Sequence, residues 1–254
     1  DRNLSRGLGD VYKRQVLALL NIFLSYLVHL FTVSGVVFSF LALVAIIDNQ
    51  LPIAFLYLAA ALFVDGIDGT LARKVDVKKN TPHINGENLD NIIDFLSYVF
   101  VPAFAIYWLS FVPQGLEFIS ACIILISSCY TFANNNIKTS DFYFSGFPAL
   151  WNIVLLYFFI LDTDLFLNFI IICVLSIFTF IPIKYFHPFR VIKYRKITLS
   201  VLMIWMITTV VILYFNHLNQ MVLDICFVAW NATNLYFVLL TLLRTFILEE
   251  QSLD

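Results

Sequence analysis

Apolar stretches of about 20 residues, the length that crosses a bilayer, recur along this chain and are separated only by short polar or Pro/Gly clusters. Of its 254 residues 61% are hydrophobic and 13% charged, and the mean hydropathy is +0.89. Soluble domains carry roughly twice that share of charge. The reading is therefore an all-α, polytopic membrane protein. The net charge of -2 averages over two opposite faces and says nothing of nucleic acid.

The breaks divide the chain into eight expected crossings. They run from about Val28 to Ile47, from Pro52 into Asp65, from Ile92 to Phe111, and from Leu116 to Ala133. Phe147 to Leu161, Leu165 to Ile183, Ile197 to Phe215 and Met221 to Leu248 complete the set. Pro52 suits a first helical turn. Residues 1–27 are set apart as an N-terminal arm and interfacial segment, and 28–254 as an eight-helix transmembrane domain. The first fifteen residues show no clear helical period, and read either as a cytoplasmic arm or as a segment foreign to the native chain.

With eight crossings, all 15 Lys and Arg residues fall on one side. Arg2, Arg6, Lys13 and Arg14 precede the first crossing; Arg73, Lys74, Lys78 and Lys79 follow the second. Lys138 follows the fourth, Lys184, Arg190, Lys193, Arg195 and Lys196 the sixth, and Arg244 lies near the end. The opposite loops hold Asp48, Asp162 and Asp164 without a single cation. The positive-inside rule then places both termini in the cytoplasm. A helix count wrong by one would scatter these charges over both faces.

Against that background, the string DGIDGTLARKVDVKKNTPHINGENLDNIID, from Asp65 to Asp94, stands out. Asp65 and Asp68 are three apart, and Gly69, Ala72 and Arg73 continue the same helical face. Gly86, Asp90 and Asp94 are spaced by four and line one face of the next helix. Carboxylates beside long apolar runs are too costly to keep for packing alone. Two carboxylate pairs at neighbouring helix ends can converge on one or two hard cations. An all-oxygen donor set favours magnesium, manganese or calcium over zinc or copper. Gly69 and Gly86 remove side chains where a ligand comes close, and Arg73 offers a planar fork for phosphate oxygens. A bland alternative pairs each acid with Arg73, Lys74, Lys78 or Lys79; it suits one aspartate better than a set in register across two helices.

The pattern D-x-x-D-G-x-x-A-R-(x12)-G-x-x-x-D-x-x-x-D resembles the signature of the CDP-alcohol phosphatidyltransferases, membrane enzymes that move a phosphatidyl or similar group from a CDP-linked donor to an alcohol. Every specified position is filled. The spacer from Lys74 to Asn85 has twelve residues, where most members have eight or nine. That spacer is similar to the bacterial phosphatidylcholine synthase branch, as are HLFTVSG (His29 to Gly35), GFPALWN (Gly146 to Asn152) and FIPIKYFHPFR (Phe180 to Arg190).

The resemblance implies a bacterial inner-membrane enzyme, often a homodimer in this family, that takes CDP-diacylglycerol and choline and depends on Mn2+ or Mg2+. Asp65, Asp68, Asp90 and Asp94 would hold metal, with Asp94 alternatively serving as the catalytic base. Gly69, Ala72, Arg73 and Gly86 would form the CDP pocket. Lys184 and Arg190 are candidates for the donor phosphate, though ordinary positive-inside anchoring explains them as well. A quaternary ammonium calls for aromatic faces, so Trp151, Tyr98 and Tyr157 are candidates for choline, with packing the competing role for each. His29 is expected near headgroup level, hydrogen-bonded or touching the nucleotide.

Cys122, Cys129, Cys173 and Cys226 lie in apolar runs without a C-x-x-C pair, which argues against a disulfide framework or a zinc site. Other acceptors of the same superfamily (inositol, serine, glycerol phosphate, ethanolamine) remain the near alternative. A cation transporter is the distant one, because its acids belong near the midplane.

Overall fold

The computed structural model describes residues 2–134, 144–181, 184–185, 195–215 and 218–246. The described residues are helical apart from loops and one two-residue ribbon. Five helical stretches are long and apolar enough to cross a membrane: Tyr12–Ile47, Leu51–Val75, Gly86–Trp108, Lys196–Tyr214 and Gln220–Thr241. Three shorter apolar helices accompany them, Glu117–Ala133, Trp151–Leu161 and Leu165–Phe178. The chain divides into two compact units, Asp1–Val101 and Pro102–Asp254.

In the first unit, α1 (Arg2–Ile47) is helical through Tyr26 and Leu27. It turns at Asp48-Asn49-Gln50, where Asn49 takes a left-handed φ of 58°. The Asn49 and Gln50 amides close the helix on the Ile46 and Ala45 carbonyls, at 3.0 and 2.8 Å. Pro52 then sits in the first turn of α2 (Leu51–Val75), as expected.

So short a turn makes α1 and α2 an antiparallel hairpin. Ser25, Val28, His29, Thr32, Gly35, Ser39, Ala42, Ala45 and Ile46 form the buried stripe of α1. Small residues along it let the backbones approach. At Gly35 a later helix also comes close: an added Cβ would lie 2.7 Å from Ile93 Cγ2. Leu30, Val37 and Phe40 face outward, as a lipid-facing surface requires.

α2 ends where Asp76 turns left-handed at φ 56°. A short α3 (Val77–Asn80) follows, then α4 (Gly86–Asp94), capped by Asn85, whose side chain accepts from the Glu87 and Asn88 amides. The cap starts this helix six residues before Ile92, so the second half of the motif is helical. From Phe95 to Phe100 the helix widens to a π turn, with the Val101 amide bonding the Leu96 carbonyl five residues back. α5 (Val101–Trp108) continues the span. Pro102 carries no N–H and cannot donate the bond an unbroken α-helix would need there.

The second unit holds α6 (Glu117–Ala133), α7 (Trp151–Leu161), α8 (Leu165–Phe178), α9 (Arg195–Tyr214) and α10 (Gln220–Phe246). Strands β1 (Phe144–Ser145) and β2 (Lys184–Tyr185) pair antiparallel. The fifth apolar segment, expected to be helical from Phe147, stays irregular until Trp151. Pro148 disfavours helix for the residue before it, and Ala149 adopts φ 55°. Gly146, at φ +91°, passes so close to the next helix end that a Cβ would meet the Thr179 carbonyl oxygen at 2.5 Å. The resulting eleven-residue α7 is about 17 Å long, well short of the bilayer core.

Within this unit polar side chains fasten the helices. Asp164 caps α8 through the Phe166 and Leu167 amides. Asn168, fully buried, donates to the Phe111 carbonyl at 2.9 Å. Trp230 donates to Thr209 at 3.0 Å, and the Tyr157 hydroxyl to Asn234 at 2.6 Å.

Candidate functional site

The apolar stripe of α2 and its acids share one helical face. Leu51, Ala54, Phe55, Leu58, Ala61 and Val64 are buried along it, and Asp68 follows one turn later. Spacings of three and four put leucine and alanine against α1 and carry Asp65 and Asp68 to the same side. α4 brings Asp90 to meet them. One carboxylate oxygen from each of Asp65, Asp68 and Asp90 lies within 4.8 Å of the other two. Asp68 is 6% exposed, while Asp65 and Asp90 are half-buried.

At an effective dielectric of about 20, two like charges about 4 Å apart repel by about 4 kcal/mol. Three oxygens gathered this closely suit a divalent ion that turns the repulsion into coordination. The all-carboxylate set suits a hard one. Asp94, one turn beyond Asp90 on α4, is half-buried and is not a member of the three-oxygen group.

A neutral side chain of the next helix reaches the cluster. The Tyr98 hydroxyl, carried by the π turn, donates to Asp65 Oδ2 at 2.6 Å. Thr32 lies on the buried stripe of α1, with its hydroxyl donating to the Val28 carbonyl at 3.3 Å. His29, one turn before Thr32, bonds the Thr81 hydroxyl at 3.0 Å, and Tyr26 bonds His83 at 3.0 Å. These two bonds fasten the spacer onto α1 just ahead of α4. His29 therefore meets the expectation of a hydrogen-bonded residue.

The motif glycines have room. A Cβ on Gly69 would meet only the far end of Arg73, at 3.4 Å, and one on Gly86 would lie 3.6 Å from the His29 ring. Both are ordinary contacts, so packing does not demand glycine at either position. Within a helix each glycine costs about 1 kcal/mol relative to alanine. Arg73 is exposed, and its guanidinium donates to Thr70 at 3.1 Å. Ala72 is half-buried one helical turn beyond Asp68.

The other candidates are placed differently. Trp151 is fully buried: its indole donates to Ser128 at 2.8 Å and its ring meets Phe147 edge-on at 5.1 Å. Tyr157 is occupied with Asn234, and Tyr98 is buried with its hydroxyl on Asp65. These three aromatics do not present an open cage in this structure. Lys184 lies in β2, and Arg190 lies outside the described residues.

Sequence reasoning missed the part Gly35 plays. It falls in the HLFTVSG stretch, two three-residue steps from His29, and that step along a buried stripe was the available signal.

The match to the family model "CDP-alcohol phosphatidyltransferase" covers residues 25–230. The phosphatidylcholine synthase of Pseudomonas aeruginosa is 41% identical over 218 residues, covering 86% of this chain and 90% of the relative. That of Mesorhizobium japonicum is 43% identical over 181 residues, 71% of this chain and 68% of the relative. The phosphatidylcholine synthase of Borreliella burgdorferi is 36% identical over 224 residues, 88% of this chain and 94% of the relative. Carboxylates converging from α2 and α4, a filled signature and matches of this extent lead to one conclusion: the chain belongs to the CDP-alcohol phosphatidyltransferase family.

Proposed function

We propose that this protein transfers the phosphatidyl group of CDP-diacylglycerol to choline and releases CMP. The observation that carries this reading is the convergence of Asp65, Asp68 and Asp90 within 4.8 Å. Similarity to relatives named phosphatidylcholine synthase over most of the chain supports the acceptor.

Asp65, Asp68 and Asp90 would hold Mn2+ or Mg2+. A bound divalent ion supplies charge neutralisation for a pyrophosphate group and its departing phosphate. Around it, this chain's residues bind and orient. Gly69 and Gly86 leave open helix surface for the cytidine diphosphate, Ala72 lies on the same face, and Arg73 supplies a guanidinium for phosphate oxygens. The choline oxygen attacks the phosphorus bearing diacylglycerol and the bond from that phosphorus to the CMP oxygen breaks. The choline hydroxyl proton passes to the Asp94 carboxylate, and CMP leaves as a phosphate monoester. Asp94 fits the base role because it lies on the acid-bearing helix outside the three-oxygen group. Lys184 and Arg190 are assigned to the donor phosphate from the basic segment after α8.

We place eight membrane passages, five on helices of spanning length and three on shorter helices that cross with their flanking segments, with termini and acids at the cytoplasmic face of a bacterial inner membrane. An even count is what keeps the cations on one side.

The test is a reconstitution. Purified protein in lipid vesicles receives CDP-diacylglycerol, Mn2+ and one alcohol at a time, and mass spectrometry identifies the lipid product. Phosphatidylcholine and CMP are expected in equal amounts, and chelation with EDTA is expected to stop both. Product with glycerol phosphate or inositol but none with choline would reject the acceptor.

A further inference from the structure

We propose that Tyr98 is a positioning residue for the metal site, holding the Asp65 carboxylate in the orientation that meets the cation. The inference rests on the metal-dependent reading above and deepens it. The sequence suggested Tyr98 for choline because it follows Asp94 by four. In the structure its ring is 6% exposed, and its hydroxyl points across to α2, donating to Asp65 Oδ2 at 2.6 Å. A phenol can donate one proton, and here the recipient is a carboxylate of the cluster. One edge of Asp65 is thereby fixed by a helix other than its own.

The π turn puts it there. Over Phe95–Phe100 the backbone bonds shift to carbonyls five residues back, and such single widened turns concentrate at functional sites. Ser97 repairs the loosened backbone by donating to the Ile93 carbonyl at 3.1 Å. Asp90 precedes the widened turn and Tyr98 lies within it. One helix thus delivers a ligand to the cluster and, two turns later, a hydrogen bond to a ligand from another helix.

The need for such a bond follows from the repulsion within the cluster. Without a cation, like-charge repulsion disfavours the orientation in which Asp65 faces Asp68 and Asp90. A hydrogen bond from a buried neutral donor holds that orientation beforehand. Partners of metal ligands placed this way typically contribute 10- to 100-fold in metal affinity.

The test uses the full-length protein in lipid nanodiscs, with Mn2+ as the probe and its free-ion electron paramagnetic resonance signal as the readout. Tyr98→Phe keeps the ring and deletes only the donor. Mn2+ affinity is expected to fall at least about tenfold, while the choline KM measured at saturating Mn2+ stays unchanged. In an Asp65→Asn background the same substitution is expected to make no further difference, because the hydroxyl acts through that carboxylate. Equal Mn2+ affinity in Tyr98→Phe and the unaltered protein would overturn the assignment, as would undetectable Mn2+ binding by the latter.

Infrared difference spectra of the unaltered protein need no variant and cover the case in which Tyr98→Phe does not assemble. With tyrosine C–O labelled, Mn2+ addition is expected to shift a tyrosine band together with the carboxylate bands, and a silent tyrosine region would overturn the assignment. Failure to make phosphatidylcholine with Mn2+ bound normally would instead reject the acceptor reading and leave Tyr98's role standing.

Discussion

Buried polar side chains in Pro102–Asp254 meet neutral partners: Trp151 with Ser128, Trp230 with Thr209, Asn168 with the Phe111 carbonyl, Ser127 with Ser176. In Asp1–Val101, buried and half-buried carboxylates turn toward one another. The first arrangement, of neutral bonds, fastens helices, at a typical gain of about 0.6 kcal/mol per bond. The second gathers like charges, an arrangement that a divalent cation suits. The two units thus differ in what their buried polar groups gather: neutral pairs in one, like charges that suit a cation in the other.

The sharpest way to break this comparison is to remove one charge from the cluster. Asp68→Asn is expected to lower phosphatidylcholine synthesis by about 10³-fold, equivalent to about 4 kcal/mol of transition-state stabilisation. The same substitution should leave the melting temperature of the metal-free protein unchanged or raised, because it relieves like-charge repulsion. Loss of function with no loss of stability is the signature expected of the first unit. A metal-free variant that melts well below the unaltered protein would mean the acids stabilise the fold, and the distinction between the units would fail.

A smaller effect separates space kept for a ligand from space kept for packing. Gly69→Ala adds a Cβ that meets only the tip of Arg73 and improves helix propensity by about 1 kcal/mol. Stability is expected to rise slightly while the KM for CDP-diacylglycerol increases about tenfold, a cost of about 1.4 kcal/mol in binding. Unchanged kinetics would show that the open surface at Gly69 is not used by the nucleotide.

How far the sequence reached depends on whether a feature repeats along one helix or joins two. Asp65 and Asp68, or Gly86 and Asp90, fall on one face by helical geometry alone, so their grouping was readable from spacing. Apolar runs exposed the helices long enough to cross a membrane for the same reason. Tyr98 and Asp65 are 33 residues apart, and no local period announces a bond between them. The π turn that aims Tyr98 is an insertion in the helical register, invisible to a pattern built on 3.6 residues per turn. The late start of α7 was partly written in Pro148, yet the left-handed Ala149 answers to its surroundings. Aromatic residues make up 17% of the chain, too many for composition to separate a cation cage from a packed ring.

Trp151 gives the smallest and most discriminating effect, since it carries both readings at once. Its indole is fully enclosed and bonded to Ser128, with Phe147 against the ring. A quaternary ammonium needs an aromatic face within about 6 Å of its charge, and this face is already covered by protein. Trp151→Phe is therefore expected to cost about 1 kcal/mol of stability from the lost hydrogen bond, seen as a modest fall in melting temperature. The choline KM should stay within about twofold of the original value, a difference below about 0.5 kcal/mol. A large rise in choline KM at unchanged melting temperature would reverse the assignment. It would mean that this ring opens toward the acceptor during turnover, and that the second unit too holds a polar group in reserve for a ligand.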